Sequence, residues 1–447
     1  MFGLFASQEK KMRSHAANWL ELAEKVFHFR RDVLPPNEVA EIQARSAQLK
    51  GELKEGSDSA KLKLSIEALE LVLRRTGGKV YPKSSLVENV EFFLVAAIVI
   101  LGIRTYFVQP FKIPTNSMWP SYYGMTPEVF KTKADEPSAL AQAARFVAFG
   151  ARAKRLDAPQ DGEVLIPLAQ ITAEAAVPLY RIVNGRSWLV FPTKLKEYVL
   201  FVNESPVTVT VPIDFDFDWA LAEAYFHQPT NLAATIHQYR KKKQLVARNV
   251  MLGGQMQQVV FLPTGHKVKA GERILAFDLM TGDQLFVDRM SYHFVQPSVG
   301  SGFVFRTGNI PGIYGTHGDQ YYIKRLVGVP GDTLEIVKGG SKVKDSVENG
   351  FSSDPSGVLL RNGQPISGST AFDKNNNRVG LYRGYFAIES MTFGNKIEVP
   401  ENKYFALGDN SGNSSDGRFW GFVPEKDVVG RPLMIYFPFT RRWGPAP

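Results

Sequence analysis

The sequence predicts a mainly β protein: a folded-over antiparallel β domain behind one N-terminal transmembrane helix, with an N-terminal helical region and an inserted α+β subdomain. Three observations predict it. From Glu272 onward, turn residues recur at short intervals between β-prone runs: Thr281-Gly282-Asp283, Ser298 to Gly302, Pro330-Gly331-Asp332, Asn362-Gly363 and Gly408-Asp409-Asn410. That is the punctuation of many short strands. Phe92 to Ile103 is apolar throughout, and residues 1–80 are polar, charged and helix-prone.

In chain order, the helical region occupies residues 1–84. Met12 to Arg31 mixes apolar positions with Lys and Arg, and Pro35-Pro36 breaks it. Glu38 to Glu55 and Ser59 to Arg75 read as two further amphipathic helices, with Gly77-Gly78 as the stop. A small soluble helical hairpin is the commoner use of such helices than direct membrane binding. The first residues lack the apolar core and small-residue cleavage point of a signal peptide. Ser85-Leu-Val-Glu88 reads as a capping box opening the apolar segment. Residues 85–108 reach about the twenty residues that span a bilayer, although a buried core helix is the rival reading. Arg74, Arg75, Lys79 and Lys83 precede the segment, whereas Arg104 and Lys112 follow it. The positive-inside rule then puts the N-terminus in the cytoplasm and everything after residue 108 outside.

Residues 109–124 form a proline-rich segment, and residues 125–270 are too long for a loop. Within that stretch Asp135 to Lys154 reads as a helix. Ser187 to Val190, Tyr198 to Val202 and Val207 to Val211 read as strands, and Asp216 to Phe226 and Asn231 to Lys243 as helices. The basic run Arg240-Lys-Lys-Lys243 has no aromatic interleaving, so a solvated helix end or a contact with anionic lipid is favoured over nucleic acid. Residues 271–440 carry the remaining strands. Asn362-Gly363 is a hairpin turn signal, and residues 338–357 read as an outer loop. Residues 441–447 form a tail in which Arg441-Arg442-Trp443 suits an interfacial contact, with fraying the commoner behaviour.

Composition narrows the chemistry. The 447 residues carry a formal charge of +9, which suits an anionic membrane surface or nucleic acid. There is no cysteine, which excludes disulfides and thiolate metal sites. The seven histidines lie outside any Gly-x-Ser-x-Gly or His-Glu-x-x-His context. A serine needs a base to become a nucleophile. Ser117 stands in Pro110-Phe-Lys-Ile-Pro-Thr-Asn-Ser-Met-Trp-Pro120, a stiff extended segment directly after the apolar run. A candidate base is Lys324, in the apolar run Tyr322-Ile-Lys-Arg-Leu-Val-Gly-Val-Pro-Gly-Asp332. Strand alternation puts Tyr322 and Lys324 on one face. Burial lowers a lysine pKa and frees a neutral amine, although for an arbitrary lysine a solvated position is the commoner reading.

Four blocks in order resemble the type I signal peptidases, the membrane-bound Ser-Lys serine proteases. They are Arg104 to Pro120, Gly282-Asp-Gln-Leu-Phe-Val-Asp-Arg289, Tyr322 to Asp332, and Gly408-Asp-Asn-Ser-Gly-Asn-Ser-Ser-Asp-Gly-Arg-Phe-Trp-Gly-Phe-Val-Pro424. The resemblance covers roughly residues 85–124 and 271–440. It implies cleavage of signal peptides after small residues, the Ala-x-Ala pattern, with Ser117 as acylating nucleophile and Lys324 as general base. It implies an oxyanion hole from Thr115 and the Ser117 N–H. It further implies that Ser414 bonds the Lys324 amine, and that Asp416 and Arg418, sharing a face of a strand, pair to hold the loop, with Asp409 placed similarly. For Asp409 and Arg418 a purely structural role is as well supported as a direct one.

Phe111, Ile113, Pro114, Met118, Tyr322 and Ile323 fall at pocket-lining positions, Met118 and Ile323 being equally suited to a core. Trp119 and Phe107 are positioned to dip into lipid. No metal, nucleotide or other cofactor is implied. The implied partners are exported preproteins, the lipid bilayer and the protein-export machinery. The implied location is the inner (plasma) membrane, single-pass, with the catalytic domain on the outer side. The last block departs from the family pattern, with Ser411 and Gly412 where Arg and Asp are usual and Gly417 where Ser is usual. The long insert is a second departure.

Two rivals remain. A self-cleaving repressor shares a Ser-Lys dyad but has no membrane span. An inactive membrane-anchored binding module would keep the β domain as a scaffold. The Ser341-Lys-Val-Lys344 spacing of penicillin-binding enzymes lacks its partner motifs.

Overall fold

The computed structural model describes residues 8–172, 175–187, 191–226, 232–252, 254–313, 318–339 and 356–447. The chain divides into two compact units, Met1–Leu101 and Gly102–Pro447.

The first unit contains three helices, Gln8–Arg30, Pro36–Glu55 and Ser59–Thr76. Each boundary has a local cause. Pro36 occupies the first turn, where a missing N–H costs nothing. Gly56 closes that helix in the left-handed region at φ 74°, and the Asp58 side chain accepts the Lys61 N–H at 2.9 Å to start the next. The helices share one core of Ala16, Ala23, Val26, Ile42, Leu49, Leu62, Ile66, Leu69 and Leu73.

The fourth helix, Ser85–Tyr106, has mean hydropathy 2.2 and buries none of its residues. Its 22 residues extend about 33 Å at 1.5 Å per residue, enough to cross a bilayer. The capping serine is Ser84, one residue before the expected box: its Oγ accepts the Val87 N–H at 3.4 Å.

In the second unit the strand pairings among the described residues are antiparallel, as the short-strand pattern predicts. The largest sheet runs Val108–Lys112, Gln284–Asp288, Val428–Phe437, Gly302–Arg306, Tyr321–Gly328, Lys403–Leu407, Val423–Pro424, with Gly444–Pro445 beside Val428–Phe437. Its edge strand Val108–Lys112 feeds the Ser117 segment, and its interior strand Tyr321–Gly328 carries Lys324. A five-stranded sheet contains the hairpin Ser356–Arg361 and Gln364–Pro365. Asn362 and Gly363 turn it at φ 53° and 77°, the two positive values such a turn requires. Residues 340–355, including most of the expected outer loop and the Ser341–Lys344 spacing, lie outside the described residues.

Residues between 125 and 270 build a seven-stranded sheet around Tyr180–Ser187, Phe191–Val202, Gly162–Gln170, Gln255–Val268 and Val246–Leu252. Helices Phe217–Phe226 and Leu232–Lys241 contribute to its core, in which Ile166, Leu200, Phe217, Leu221 and Leu262 are buried. That core continues into Ile274, Phe277 and Leu279. The strand they lie on, Arg273–Met280, pairs with Thr126–Val129 and Arg152–Asp157.

Two expectations need correction here. The helix expected over Asp135 to Lys154 is confined to Ala139–Phe149. Gly150 ends it at φ 64° and Arg152–Asp157 becomes a strand, because the left-handed glycine turns the chain onto a sheet edge. The tail is not frayed. Arg442 pairs with the buried Asp283 at 2.8 Å and lies 3.7 Å from the Tyr123 ring centroid. Gly444–Pro445 joins the large sheet, and the Tyr122 hydroxyl donates to the Pro447 carbonyl at 3.1 Å.

Candidate active site

The Lys112 to Gly124 segment leaves the sheet edge as a tight loop, and its own polar groups hold it. The buried Asn116 spans the loop: its Nδ2 donates to the Met125 carbonyl, and its Oδ1 accepts the Gly124 N–H, both at 2.9 Å. Asp283 fastens both arms, accepting the Ile113 N–H on its carbonyl at 2.9 Å and the Tyr123 N–H on its carboxylate at 2.8 Å. From the Gly408 loop, the Asn410 N–H reaches the Ser117 carbonyl at 3.1 Å, and Asn410 Nδ2 reaches the Asn116 carbonyl at 3.0 Å. The Ser117 N–H donates to no described residue.

The fold brings Ser117 and Lys324 together across 207 residues. Lys324 Nζ donates to Ser117 Oγ at 2.6 Å. Lys324 is 4% exposed. Burial pushes its pKa down to about 8, against the upward pull of Asp416 and Asp409 and with Arg418 adding to the fall. The solvated-lysine reading therefore does not apply. Tyr322 shares the Lys324 face of the strand, its ring centroid 5.6 Å from Nζ. The next residue, Arg325, faces the other way. It makes a bidentate, buried pair with Asp409 at 2.7 and 2.6 Å and donates to the Gly300 carbonyl at 2.7 Å.

The Gly408 loop supports the lysine from behind, by routes that differ in part from expectation. Asp416 and Arg418 do pair, at 2.8 and 2.7 Å with both side chains fully buried, but they do not lie on a strand. Asp416 is the N-cap of the short helix Gly417–Trp420, and its carboxylate also accepts the Gly408 N–H at 3.0 Å. Asp409 does not join that pair; it neutralises Arg325. Ser414 is buried, but its Oγ has no hydrogen-bond partner among the described residues, so the expected bond to Lys324 is not made. Lys324 Nζ spends its short contact on Ser117 instead.

The departures from the family pattern have local explanations. Ser411 Oγ accepts from Arg418 Nη1 and from the Phe386 N–H, both at 2.9 Å, so a short hydroxyl braces the loop. A Cβ at Gly417 would lie 2.9 Å from the Ala406 carbonyl oxygen and from the Phe405 ring, so a larger residue does not fit this packing.

Gly408 is still more constrained: a Cβ there would overlap both Ser414 Oγ and the Ser117 carbonyl oxygen. Gly408→Ala should displace the Ser117 loop and destabilise the chain by about 1–3 kcal/mol. A urea titration with unchanged slope and lowered midpoint is the expected result, and an unchanged midpoint would show that the loop yields freely.

Phe111, Ile113, Pro114, Thr115, Ser117, Tyr322, Ile323 and Lys324 line one cleft of about 930 Å³. Met118 does not line it; it is fully buried with Tyr122, Leu285 and Val304. Trp119 is not available to lipid. It is 6% exposed and packs edge-to-face on Trp219 at 5.6 Å between ring centroids. Phe107 is half exposed. Asn116, Asp283 and Arg325 lie inside the sequence blocks but carry no role that sequence reasoning assigns. Their signal was position: each lies within one residue of a block glycine, the serine or the lysine.

Residues 275–437 match the family described as signal peptidase, peptidase S26, a range that holds Lys324 but not Ser117. A probable signal peptidase I of Synechocystis is 30% identical over 166 residues, covering 37% of this chain and 67% of that protein. The signal peptidase I of Aquifex aeolicus is 30% identical over 189 residues, covering 36% and 70%. That of Leptolyngbya laminosa is 28% identical over 171 residues, covering 38% and 68%. With two thirds or more of each relative spanned, and the blocks that carry the resemblance gathered at one cleft, the chain belongs to the type I signal peptidase family of serine peptidases.

Proposed function

We propose that this chain is a membrane-bound endopeptidase that removes signal peptides from exported preproteins after small residues, with Ser117 as nucleophile and Lys324 as general base. The observation that carries the reading is the 2.6 Å contact between Lys324 Nζ and Ser117 Oγ, in a buried setting that lowers the amine's pKa to about 8. The relatives named as signal peptidase I support the substrate class.

In the first step Lys324 Nζ takes the Ser117 proton as Oγ attacks the scissile carbonyl carbon. The tetrahedral oxyanion is stabilised by the Ser117 N–H and by the hydroxyl of Thr115 at the cleft wall. Collapse breaks the C–N bond, the lysine ammonium returns its proton to the leaving amine, and a signal-peptide ester remains on Ser117. Water, deprotonated by the same amine, then hydrolyses that ester. An extended substrate lies along the Phe111–Thr115 segment and the Tyr322–Lys324 strand. Helix Ser85–Tyr106 is the anchor, with the N-terminus in the cytoplasm and the cleft at the outer surface.

The pH profile of kcat/KM on a preprotein with an Ala-x-Ala site tests this reading. The base must be neutral, so activity should rise about tenfold per pH unit below about 8 and level off above it. A profile already flat from pH 6 would remove Lys324 from the role.

A further inference from the structure

Only part of the cleft lining comes from the Ser117 segment and the Lys324 strand; a second wall comes from described residues of the insert, among them Ile171, Val177, Tyr180, Ile182, Tyr198 and Ile213. On its two paired strands Tyr180 stands opposite Tyr198, and Ile182 opposite Lys196, so these four side chains share the cleft face. The tyrosine rings lie 5.3 Å apart, and the Lys196 ammonium is 5.2 Å from the Tyr180 ring centroid, where its charge is occupied on an aromatic face. Ile171, Tyr180, Ile182 and Ile213 line the same space while 63%, 41%, 56% and 37% exposed, beside Asp214, Asp216 and Asp218. Large apolar side chains left open to water inside a cleft are a surface for a ligand. Two contacts hold this wall to the catalytic loops: Trp219 packs on Trp119 at 5.6 Å, and Asn413 Nδ2 donates to Asp216 at 3.5 Å.

Side chains of an extended peptide alternate sides. Resting on the endopeptidase reading above, a substrate whose first and third residues before the cut face the shallow core wall must turn its second residue the other way. The geometry points to the insert as a specificity wall that receives this second side chain and selects a large apolar one. The occupant is thus the preprotein itself, because the apolar patch is continuous with the Ser117 cleft.

The test uses the full chain in detergent and a series of peptides with Ala-x-Ala sites, x being Gly, Leu, Phe or Lys. Wild type should cut the Leu and Phe peptides with kcat/KM about tenfold or more above Gly. The Ile182→Ser, Ile213→Ser double variant should bring that ratio to within about threefold of one. Both residues are exposed, so the thermal transition should barely move. A wild-type ratio near one, an unchanged ratio in the variant, or Lys as the best residue would overturn the assignment. Affinities of the same peptides for the Ser117→Ala chain separate the two readings. If wild type cuts none of them, the endopeptidase reading falls, and a Leu-over-Gly order in binding still supports the wall; equal binding overturns it.

Discussion

Ser117→Ala and Lys324→Met should each lower kcat/KM on a preprotein by about 10³-fold or more, and the double variant should be no worse than either alone. On the proposed mechanism the two residues act as one unit: without the hydroxyl no acyl-enzyme forms, and without the amine nothing takes the proton. Members of such a unit are strongly non-additive on removal. The two variants separate in stability. Ser117→Ala removes the hydroxyl that holds the buried Lys324 amine and should cost about 1–3 kcal/mol. Lys324→Met removes an amine whose folded pKa, about 8, lies below its ordinary value of 10.5. The unfolded chain therefore binds more protons between those values, and stability rises with pH across that window. Below about pH 8 the burial penalty is fully present. Lys324→Met should therefore be the more stable protein at pH 7, by on the order of 3 kcal/mol, with the difference fading toward pH 10.5. Residual turnover of Lys324→Met near the wild-type level would move the base elsewhere.

Asp416→Ala has the largest expected cost to stability, about 3–5 kcal/mol. Arg418 is completely buried and gives its Nε and one Nη to that carboxylate. Truncating the acid leaves a buried guanidinium without its counter-charge, removes the N-cap of Gly417–Trp420 and frees the Gly408 N–H. The Gly408 loop carries Asn410, which holds the Ser117 carbonyl. Activity should accordingly fall together with the denaturation midpoint. Replacing both partners, Asp416→Asn with Arg418→Met, should recover part of the loss, since no charge is then stranded. A single Asp416→Ala variant as stable as wild type would mean that the loop is held by backbone contacts alone.

The parts of the fold that were legible in sequence are those with local causes. The three N-terminal helices begin and end at prolines, an aspartate cap and glycines, and the Asn362-Gly363 turn follows from two residues that tolerate positive φ. Local rules also misled. Asp416 and Arg418 read as a strand pair by spacing, yet Asp-Gly-Arg-Phe-Trp-Gly is a cap, one turn and a stop. Asp135 to Lys154 reads as one helix, but the helix is Ala139–Phe149, and Gly150 closes it and returns the chain to a strand.

What could not be read were pairings over long separations. Asp409 meets Arg325 rather than Arg418, and Arg442 meets Asp283. The insert meets the loops around Ser117 through Trp219 on Trp119 and Asp216 with Asn413, contacts between distant segments. Periodicity describes one element at a time and carries no information on which loops meet. The serine and lysine stand out by local setting, a proline-bounded hydroxyl after the apolar run and a lysine inside an apolar strand, whereas their pairing across 207 residues has no local signal.

The most direct test is a heteronuclear NMR titration of the Lys324 side chain in the full chain, with Lys324→Met used to assign the resonance. A midpoint near 8 is expected, moving little with salt because the group is buried. A midpoint above 10 would mean that the amine is charged at working pH, and Lys324 could not then be the base that activates Ser117.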